Sequence, residues 1–343
     1  MIKLFRLCFT LALLFCATVA HAQMSAHYIN VGQADSILLE FRTAAILIDA
    51  GGEATGDDRD KIHLVNYLNQ FFTRRADLRR TLLAVIISHP HIDHTKNLGA
   101  VIQNFNVQLL LDGGNQSGSG IGPLRAARNA LGNRRYRAIT DAQITPLRVG
   151  FRPFPQLMQS SNIDLRILAA SRGCENGNND SLIVLVRYRT ASYLFSGDAE
   201  TEEDSVCLGE VPETIDFYNR TGLLDVDVYK VGHHGSKNAT DEAFLEAMTP
   251  KIAVISAGIE SQRTPGPFHA FQFGHPRENV VALLEDSLTT SRDTQNFYTM
   301  AAAKKVRSPR RIRRSLYCTC WDGDIVVSTN VEGSRFSVTT SGR

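Results

Sequence analysis

The sequence of 343 residues contains no internal repeat, no long low-complexity linker and no strong net charge. Beyond the N-terminal residues it also has no apolar run long enough to span a bilayer. The 37 basic residues nearly balance the 35 acidic ones, so the overall charge does not indicate a polyanionic partner. These absences predict one large domain containing helices and strands rather than a chain of small modules.

The N-terminal residues have the pattern of an export signal. Two basic residues precede Leu7 to Ala20, an apolar stretch too short for a comfortable membrane span, and Ala20-His-Ala22 matches an A-x-A cleavage site. An uncleaved membrane anchor is the alternative. We therefore expect a signal peptide at residues 1–22, one domain over residues 23–343 without a transmembrane segment, and a periplasmic or secreted product. The oligomeric state stays open.

Export would place the cysteines in an oxidising compartment, where disulfides form. Four cysteines follow the predicted signal and allow three pairings: Cys174, Cys207, Cys318 and Cys320. Because a bridge between Cys318 and Cys320 would close a very tight ring, we expect pairing between distant segments. Cysteine ligation of zinc is the alternative, but histidines and aspartates elsewhere supply enough ligands.

A cluster of metal-ligand side chains follows a strongly apolar segment. Leu82 to Ile87 predicts a buried strand, and His89-Pro-His-Ile-Asp-His94 comes directly after it, ahead of a helix predicted from Thr95. Imidazole nitrogen and carboxylate oxygen suit zinc, and manganese or iron less selectively. A His-rich surface loop is the alternative, but this density of ligands after a buried strand favours a metal site.

Further candidate residues stand at the ends of other predicted strands. Asp49 follows one strand and is expected either to orient a metal-binding histidine or simply to form a turn. Asp198 follows another, in Ser196-Gly-Asp198. His233 and His234 follow the strand Asp227 to Val231.

The segment His89-x-His91-x-Asp93-His94 resembles the H-x-H-x-D-H signature of the metallo-β-lactamase fold. Val31-Gly-Gln-Ala-Asp-Ser36 and Val231-Gly-His-His-Gly-Ser236 are similar to segments of ComEC-type DNA-uptake proteins, with Ala34 where glycine is usual. Choline-phosphate esterases of cell-wall teichoic acid look similar too. The resemblance covers most of the chain from about Ala26 to Leu284, and again near Trp321 to Val331. It implies an α+β fold, a four-layer αββα sandwich with two metals between the sheet edges.

The resemblance also implies a ligand set, residue by residue. Asp180 stands where the family often has a third histidine ligand. Which of His233 and His234 binds the metal stays open, with His234 favoured as the ligand and His233 expected to face the substrate. Asp93 would also orient the attacking hydroxide. His275 would bind a substrate phosphate, or else cap the next helix or simply pack in the fold. The expected ligands are His89, His91 and Asp180 for one metal, Asp93, His94 and His234 for the other, and Asp198 as the bridge.

The implied activity is hydrolysis by a hydroxide activated between two divalent metal ions, zinc or alternatively manganese. The substrate is expected to be a phosphodiester, with DNA or RNA leading, which makes the protein a phosphodiesterase or nuclease. The alternatives are a lactonase or β-lactamase, a choline-phosphate esterase, and a binding protein that kept the fold but lost the chemistry. The basic run Lys304 to Arg314 would line a nucleic-acid path, although such runs are more often solvated loops.

Overall fold

The computed structural model of the protein describes residues 24–53, 58–144, 149–170, 177–201, 221–258, 273–301 and 306–342. The predicted signal peptide, Cys174, Cys207 and Lys304 lie outside these ranges. Within them, no helix is both long and apolar enough to cross a membrane.

The described residues contain strands and helices in mixed order. The strands are β1 (Met24–Tyr28), β2 (Ile37–Phe41), β3 (Ala45–Ile48), β4 (Thr81–Leu82), β5 (Ala84–Ile86), β6 (Asn106–Val107), β7 (Leu110–Asp112), β8 (Tyr136–Ala138), β9 (Ile163–Ala169), β10 (Ile183–Tyr188), β11 (Ala191–Phe195), β12 (Val228–Lys230), β13 (Ile252–Ile255), β14 (Ser291–Met300), β15 (Arg307–Arg314), β16 (Leu316–Cys318), β17 (Ile325–Thr329) and β18 (Phe336–Thr340). The α-helices are α1 (Arg59–Arg74), α2 (Ile92–Thr95), α3 (Leu98–Asn104), α4 (Ile121–Leu131), α5 (Asp141–Ile144), α6 (Gln156–Ser161), α7 (Glu242–Met248), α8 (Glu278–Ser287) and α9 (Thr319–Asp322). Short 3-10 turns lie at Ala76–Leu78, Gly177–Asp180 and Gly232–Gly235.

Two large sheets organise the chain. The first has eight strands in the order β18-β17-β1-β2-β3-β5-β7-β8, and the second has six in the order β16-β13-β12-β11-β10-β9. In the first sheet β3, β5, β7 and β8 run parallel, and in the second β11, β12, β13 and β16 do. The carboxyl ends of parallel neighbours meet at one edge of a sheet, so the loops that leave β3, β5, β11 and β12 are placed to form a shared site.

The strands alternate between two apolar environments because successive side chains point to opposite faces of a sheet. Leu39 and Ile46 belong to the core that lies between the sheets, together with Tyr193 and Phe195 of the second sheet. Leu38 and Leu47 instead pack under α1, α3 and α4. The outer face of the second sheet packs under α7 and α8. Helices therefore cover both outer faces, and the predicted α+β, four-layer αββα architecture is confirmed.

One prediction was wrong. Among the described residues, a disulfide joins Cys318 to Cys320, with the Cα atoms 5.1 Å apart, so neither of these two cysteines pairs with a distant segment. This distance lies within the normal range because β16 ends at Cys318 and the chain turns at once into α9. The basic run, for which a nucleic-acid path and a solvated loop both stayed open, forms the strand β15 over Arg307–Arg314, which pairs with β14 and buries Ile312.

Candidate metal centre

Four buried side chains from distant parts of the chain converge where the strands of the two sheets end. One nitrogen or carboxylate oxygen from each of Asp35, His94, Asp198 and His234 lies within 4.8 Å of the others. Asp35 comes from the connection between β1 and β2, and His94 from α2. Asp198 follows β11, and His234 lies in the 3-10 turn after β12. Two imidazoles and two carboxylates form a donor set suited to a divalent transition metal.

Several buried polar atoms of this cluster lack hydrogen bonds with the described residues. Asp35 Oδ1, Asp198 Oδ1, His94 Nε2 and His234 Nε2 are buried and lack a hydrogen bond of acceptable geometry with the described residues. Buried polar atoms without partners cost free energy, and cation ligation would relieve that cost. The residues therefore fit a metal ion.

Asp198 occupies the centre of the cluster. Its Oδ2 atom lies 3.2 Å from His94 Nε2, 3.5 Å from His234 Nε2 and 3.9 Å from His89 Nε2. Burial alone would raise the pKa of Asp198, but His94, His234 and His233 lower it well below its usual range. The side chain is therefore an anion that faces histidines on both sides, which is the geometry required of a bridging ligand.

His89 and His91 lie on one side of Asp198 and contact each other. His89 Nε2 is 3.0 Å from His91 Nδ1, and a Cβ atom at Gly177 would approach His91 Nε2 to 3.0 Å. Burial and the neighbouring His94 lower the pKa of His89 well below its ordinary value, and burial also lowers the pKa of His91. Both imidazoles are thereby kept neutral, which is the form that binds metals.

Asp93 lies on the other side of the centre. Its Oδ2 atom is 3.3 Å from His234 Nε2, and its Oδ1 atom is 4.0 Å from His94 Nε2. Burial would raise the pKa of Asp93, but His94 and His234 outweigh burial and lower it. For His94 the balance is reversed: burial would lower its pKa, but Asp198, Asp49 and Asp93 raise it well above the ordinary value. Carboxylates that hold a proton on an imidazole this strongly would also attract a metal cation.

Asp49 orients His94, as one of the two sequence interpretations expected. Its Oδ2 atom lies 2.8 Å from His94 Nδ1, while the same carboxylate accepts hydrogen bonds from the Ser88 N–H at 2.7 Å and from Ser88 Oγ at 2.8 Å. The bond fixes Nδ1 of His94 on Asp49 and directs Nε2 into the cluster. Asp49 itself has a positive φ of 58°, an uncommon conformation for a residue other than glycine.

The two adjacent histidines after β12 have different environments. His234 is buried and its Nδ1 bonds the Ser256 carbonyl at 2.8 Å, which directs Nε2 into the cluster. The side chain of His233 is 21% exposed, with Nε2 3.9 Å from Asp198 Oδ2 and Nδ1 3.5 Å from Glu200 Oε1. Both residues have left-handed backbone conformations, with φ of 46° and 53°. Such strain outside glycine is typical of functional sites, and here it turns two neighbouring imidazoles toward one place.

Asp180 and His275 lie beside the four-residue cluster but are not among its members. Asp180 is buried in the turn Gly177–Asp180, and its Oδ2 accepts a hydrogen bond from Asn115 Nδ2 at 2.5 Å. The ring of His275 lies 5.5 Å from that of His233, and its Nδ1 is 3.0 Å from Gln33 Nε2. His275 does not cap the following helix, because the N-cap residue of α8 is Arg277.

Sequence reasoning missed two charged residues at the centre, Asp35 and Lys230. The Lys230 ammonium contacts Asp35 Oδ2 and lies 3.9 Å from Asp198 Oδ1, and its side chain is 1% exposed. Burial would lower the pKa of Lys230, but Asp35 and Asp198 raise it. A lysine between apolar residues of the segment Asp227 to Val231, just ahead of His233, was a usable signal, because a charge in a buried strand needs a partner.

Comparison with known proteins agrees with this architecture. The sequence model of the metallo-beta-lactamase superfamily matches residues 29–114, which include β2, β3 and the His89–His94 loop. The chain has the metallo-β-lactamase fold. Residues outside that match complete the two sheets and supply Asp198 and His234.

Two curated bacterial proteins that are similar to this chain in sequence are longer than it is. ComE operon protein 3 of Bacillus subtilis (strain 168) is 25% identical over 302 residues, which are 84% of this chain and 34% of that protein. Recombination protein 2 of Haemophilus influenzae is 26% identical over 293 residues, covering 85% of this chain and 31% of that protein. This chain thus spans about a third of the length of these relatives. A solved structure, the metallo-beta-lactamase fold protein YhfI from Bacillus subtilis, is 12% identical with a TM-score of 0.36, covering 67% of this chain and 85% of that one.

Proposed function

We propose that this metallo-β-lactamase-fold chain is a metal-dependent phosphodiesterase or nuclease. The observation that carries the proposal is the buried set of Asp35, His94, Asp198 and His234, each of which has a buried polar atom without a hydrogen bond of acceptable geometry among the described residues. Asp198 supports a two-metal site, because its carboxylate faces His89 as well as His94 and His234. Two divalent cations, zinc or alternatively manganese, would activate water and offset the charge that develops on a phosphoryl oxygen.

We assign the candidate ligands to two ion sites. His89 and His91 would hold one ion, and His94, His234 and Asp93 the other, with Asp198 between them. We keep Asp180 as a candidate for the first ion. We also assign Asp35 to the centre, since it belongs to the cluster and its paired lysine limits the negative charge there.

Proton transfer and substrate positioning would fall to three side chains. Asp93 is a buried carboxylate that would orient the attacking water. His233 is partly exposed, so its imidazole would exchange a proton with the leaving oxygen and with solvent. His275, close to His233 and hydrogen-bonded to Gln33, would bind a substrate phosphate.

Nucleic acid is the proposed substrate class, with DNA preferred over RNA. The similarity to ComE operon protein 3 and Recombination protein 2 supports this choice, although it covers only about a third of each relative. We further propose export after cleavage of residues 1–22 and a single domain over residues 23–343. A lactonase or β-lactamase, a choline-phosphate esterase and a binding protein without catalysis are the competing functions.

A hydrolysis screen with zinc and with manganese tests this proposal. The substrates are bis(p-nitrophenyl) phosphate, single- and double-stranded DNA, RNA, a lactone, a β-lactam and p-nitrophenyl phosphorylcholine. The proposal expects metal-dependent cleavage of the diester and of DNA, abolished by a chelator. Cleavage of the lactone or β-lactam alone would assign carbonyl chemistry instead. Metal binding without hydrolysis of any of these substrates would favour the binding protein.

A further inference from the structure

The strands β14 and β15 form an antiparallel hairpin that is fixed to the body of the protein by one face. Phe297 stacks on Trp321 with ring centroids 4.9 Å apart and planes 6° apart. The Arg310 guanidinium donates to Glu278 of α8 at 2.5 Å, and Ile312 is fully buried. Glu285 of α8 also accepts hydrogen bonds from the backbone of β15. These contacts hold the hairpin in a defined orientation.

The opposite face of the hairpin carries exposed basic and aromatic side chains. Because strand residues alternate, the inward positions of Arg310 and Ile312 leave Arg311 and Arg313 outward, and both are exposed. Among the described residues, neither of these two guanidinium groups has an ion-pair partner. Tyr298 lies on the same outward face, opposite Pro309, and is 60% exposed, with the Arg307 guanidinium 5.9 Å from the centroid of its ring. This face therefore combines positive charge with an exposed aromatic ring, on a chain whose basic and acidic residues nearly balance.

One end of the hairpin is tied to the candidate metal centre. The Met300 N–H donates to the Pro276 carbonyl at 2.8 Å, and the Arg277 N–H donates to the Gly235 carbonyl at 2.9 Å. Pro276 follows His275 directly, and Gly235 follows His234 directly. From this end β15 leads away from the centre, and at about 3.4 Å per residue Arg313 lies roughly 20 Å beyond Arg307.

We propose that the outward face of this hairpin, formed by Tyr298, Arg311 and Arg313, binds a single-stranded nucleic acid and leads it to the candidate metal centre. The arginines would pair with backbone phosphates, for which the guanidinium fork is well shaped. The exposed Tyr298 ring offers a base a surface on which to stack, which a paired duplex does not use. This inference rests on the proposed function for the site and adds a second contact region outside the metal centre.

Binding of a fluorescein-labelled single-stranded oligodeoxynucleotide, followed by anisotropy in the presence of a chelator, tests the inference without cleavage. The test variant is Arg311→Gln/Arg313→Gln. The matched control is Arg134→Gln/Arg137→Gln, which removes the same charge from exposed positions at and before β8. The inference expects the salt slope of log K to fall by about 1.4 units in the test variant and to stay unchanged in the control. Tyr298→Ala should weaken binding roughly 5- to 150-fold.

Each other outcome overturns the inference. Equal loss in the test and control variants would mean that binding depends on net charge alone. Unchanged binding in the test variant and in Tyr298→Ala would make the face a solvated surface. Stronger binding to phosphatidylglycerol vesicles than to the oligonucleotide would assign the face to a membrane surface. Melting temperatures equal to that of the parent exclude misfolding. Hydrolysis of bis(p-nitrophenyl) phosphate by the parent reports separately on the proposed function.

Discussion

Asp198 has the central position in the candidate metal centre, whereas Asp180 lies beside it. We expect Asp198→Asn to lower hydrolysis of a small phosphodiester by more than about 100-fold, because one carboxylate oxygen is lost between two ion sites. Asp180→Asn should cost no more than about tenfold, because this side chain already bonds Asn115 and is outside the four-residue cluster. Steady-state kinetics of both variants check this. Comparable losses would show that Asp180 is also an essential ligand.

We expect Lys230 to stabilise the folded protein more when no metal is bound than when the centre holds a cation. In the protein without cations its ammonium is in contact with Asp35 and close to Asp198, so Lys230→Met would leave buried carboxylates uncompensated. Breaking such a pair typically costs about 3–5 kcal/mol of unfolding free energy.

Urea unfolding with and without zinc measures this cost. We expect Lys230→Met to be strongly destabilised with a chelator present and to recover part of the loss when zinc is added, since a bound cation would replace the ammonium charge. Lys251→Met is the control, because Lys251 is 48% exposed in its pair with Asp227 and should contribute less than about 1 kcal/mol. An equal loss for Lys230→Met in both conditions would contradict the charge argument.

At the scale of elements, the end of α1 is joined to the first sheet through Glu40 of β2. Its Oε1 accepts from Arg75 at 2.8 Å, and its Oε2 lies 3.1 Å from His27 Nε2 of β1. Burial would raise the pKa of Glu40, but His27, Arg75 and Arg74 outweigh it and lower the pKa to about 2.

Lowering the pH should therefore weaken the contacts of Glu40 that join α1 to the first sheet, and it should do so in a defined pH range. Because the folded pKa lies below the ordinary value of 4.5, the network stabilises the fold fully above about pH 4.5, and this is lost as the pH falls toward 2. The contribution is roughly 3 kcal/mol at most. Unfolding free energy measured between pH 2 and 6 should fall less steeply in Glu40→Gln than in the parent. Glu246→Gln, at an exposed position on α7, should follow the parent.

Helices and strands could be predicted from the sequence where the local pattern of apolar and polar residues determines them. The apolar run from Leu82 predicted one buried strand. The structure has two short strands separated by Leu83: β4 pairs with β6, and β5 joins the large sheet. The run Lys304 to Arg314 was not recognised as a strand, because its many charges obscure Ile312, the buried apolar residue of β15. β14 and β15 are neighbours in the sequence, but their pairing depends on how a few side chains pack, which composition does not reveal.

At the scale of the whole molecule, the candidate centre was only partly predictable. His89 to His94 is a contiguous motif, so its ligands are visible in the sequence. Asp35 and Lys230 are distant in the sequence and meet only because the end of β1, the start of β2 and the end of β12 lie at the same place. The disulfide was mispredicted because the turn into α9 sets the Cα separation, which the spacing of two cysteines does not reveal.

The central claim is that the converging side chains bind two divalent transition-metal ions. The most direct measurement is elemental analysis of the mature protein after reconstitution with zinc or manganese and removal of free metal, alongside Asp198→Asn. The account predicts about two ions per chain in the parent and a clear reduction in the variant. A parent that retains no metal after reconstitution with either ion would contradict it.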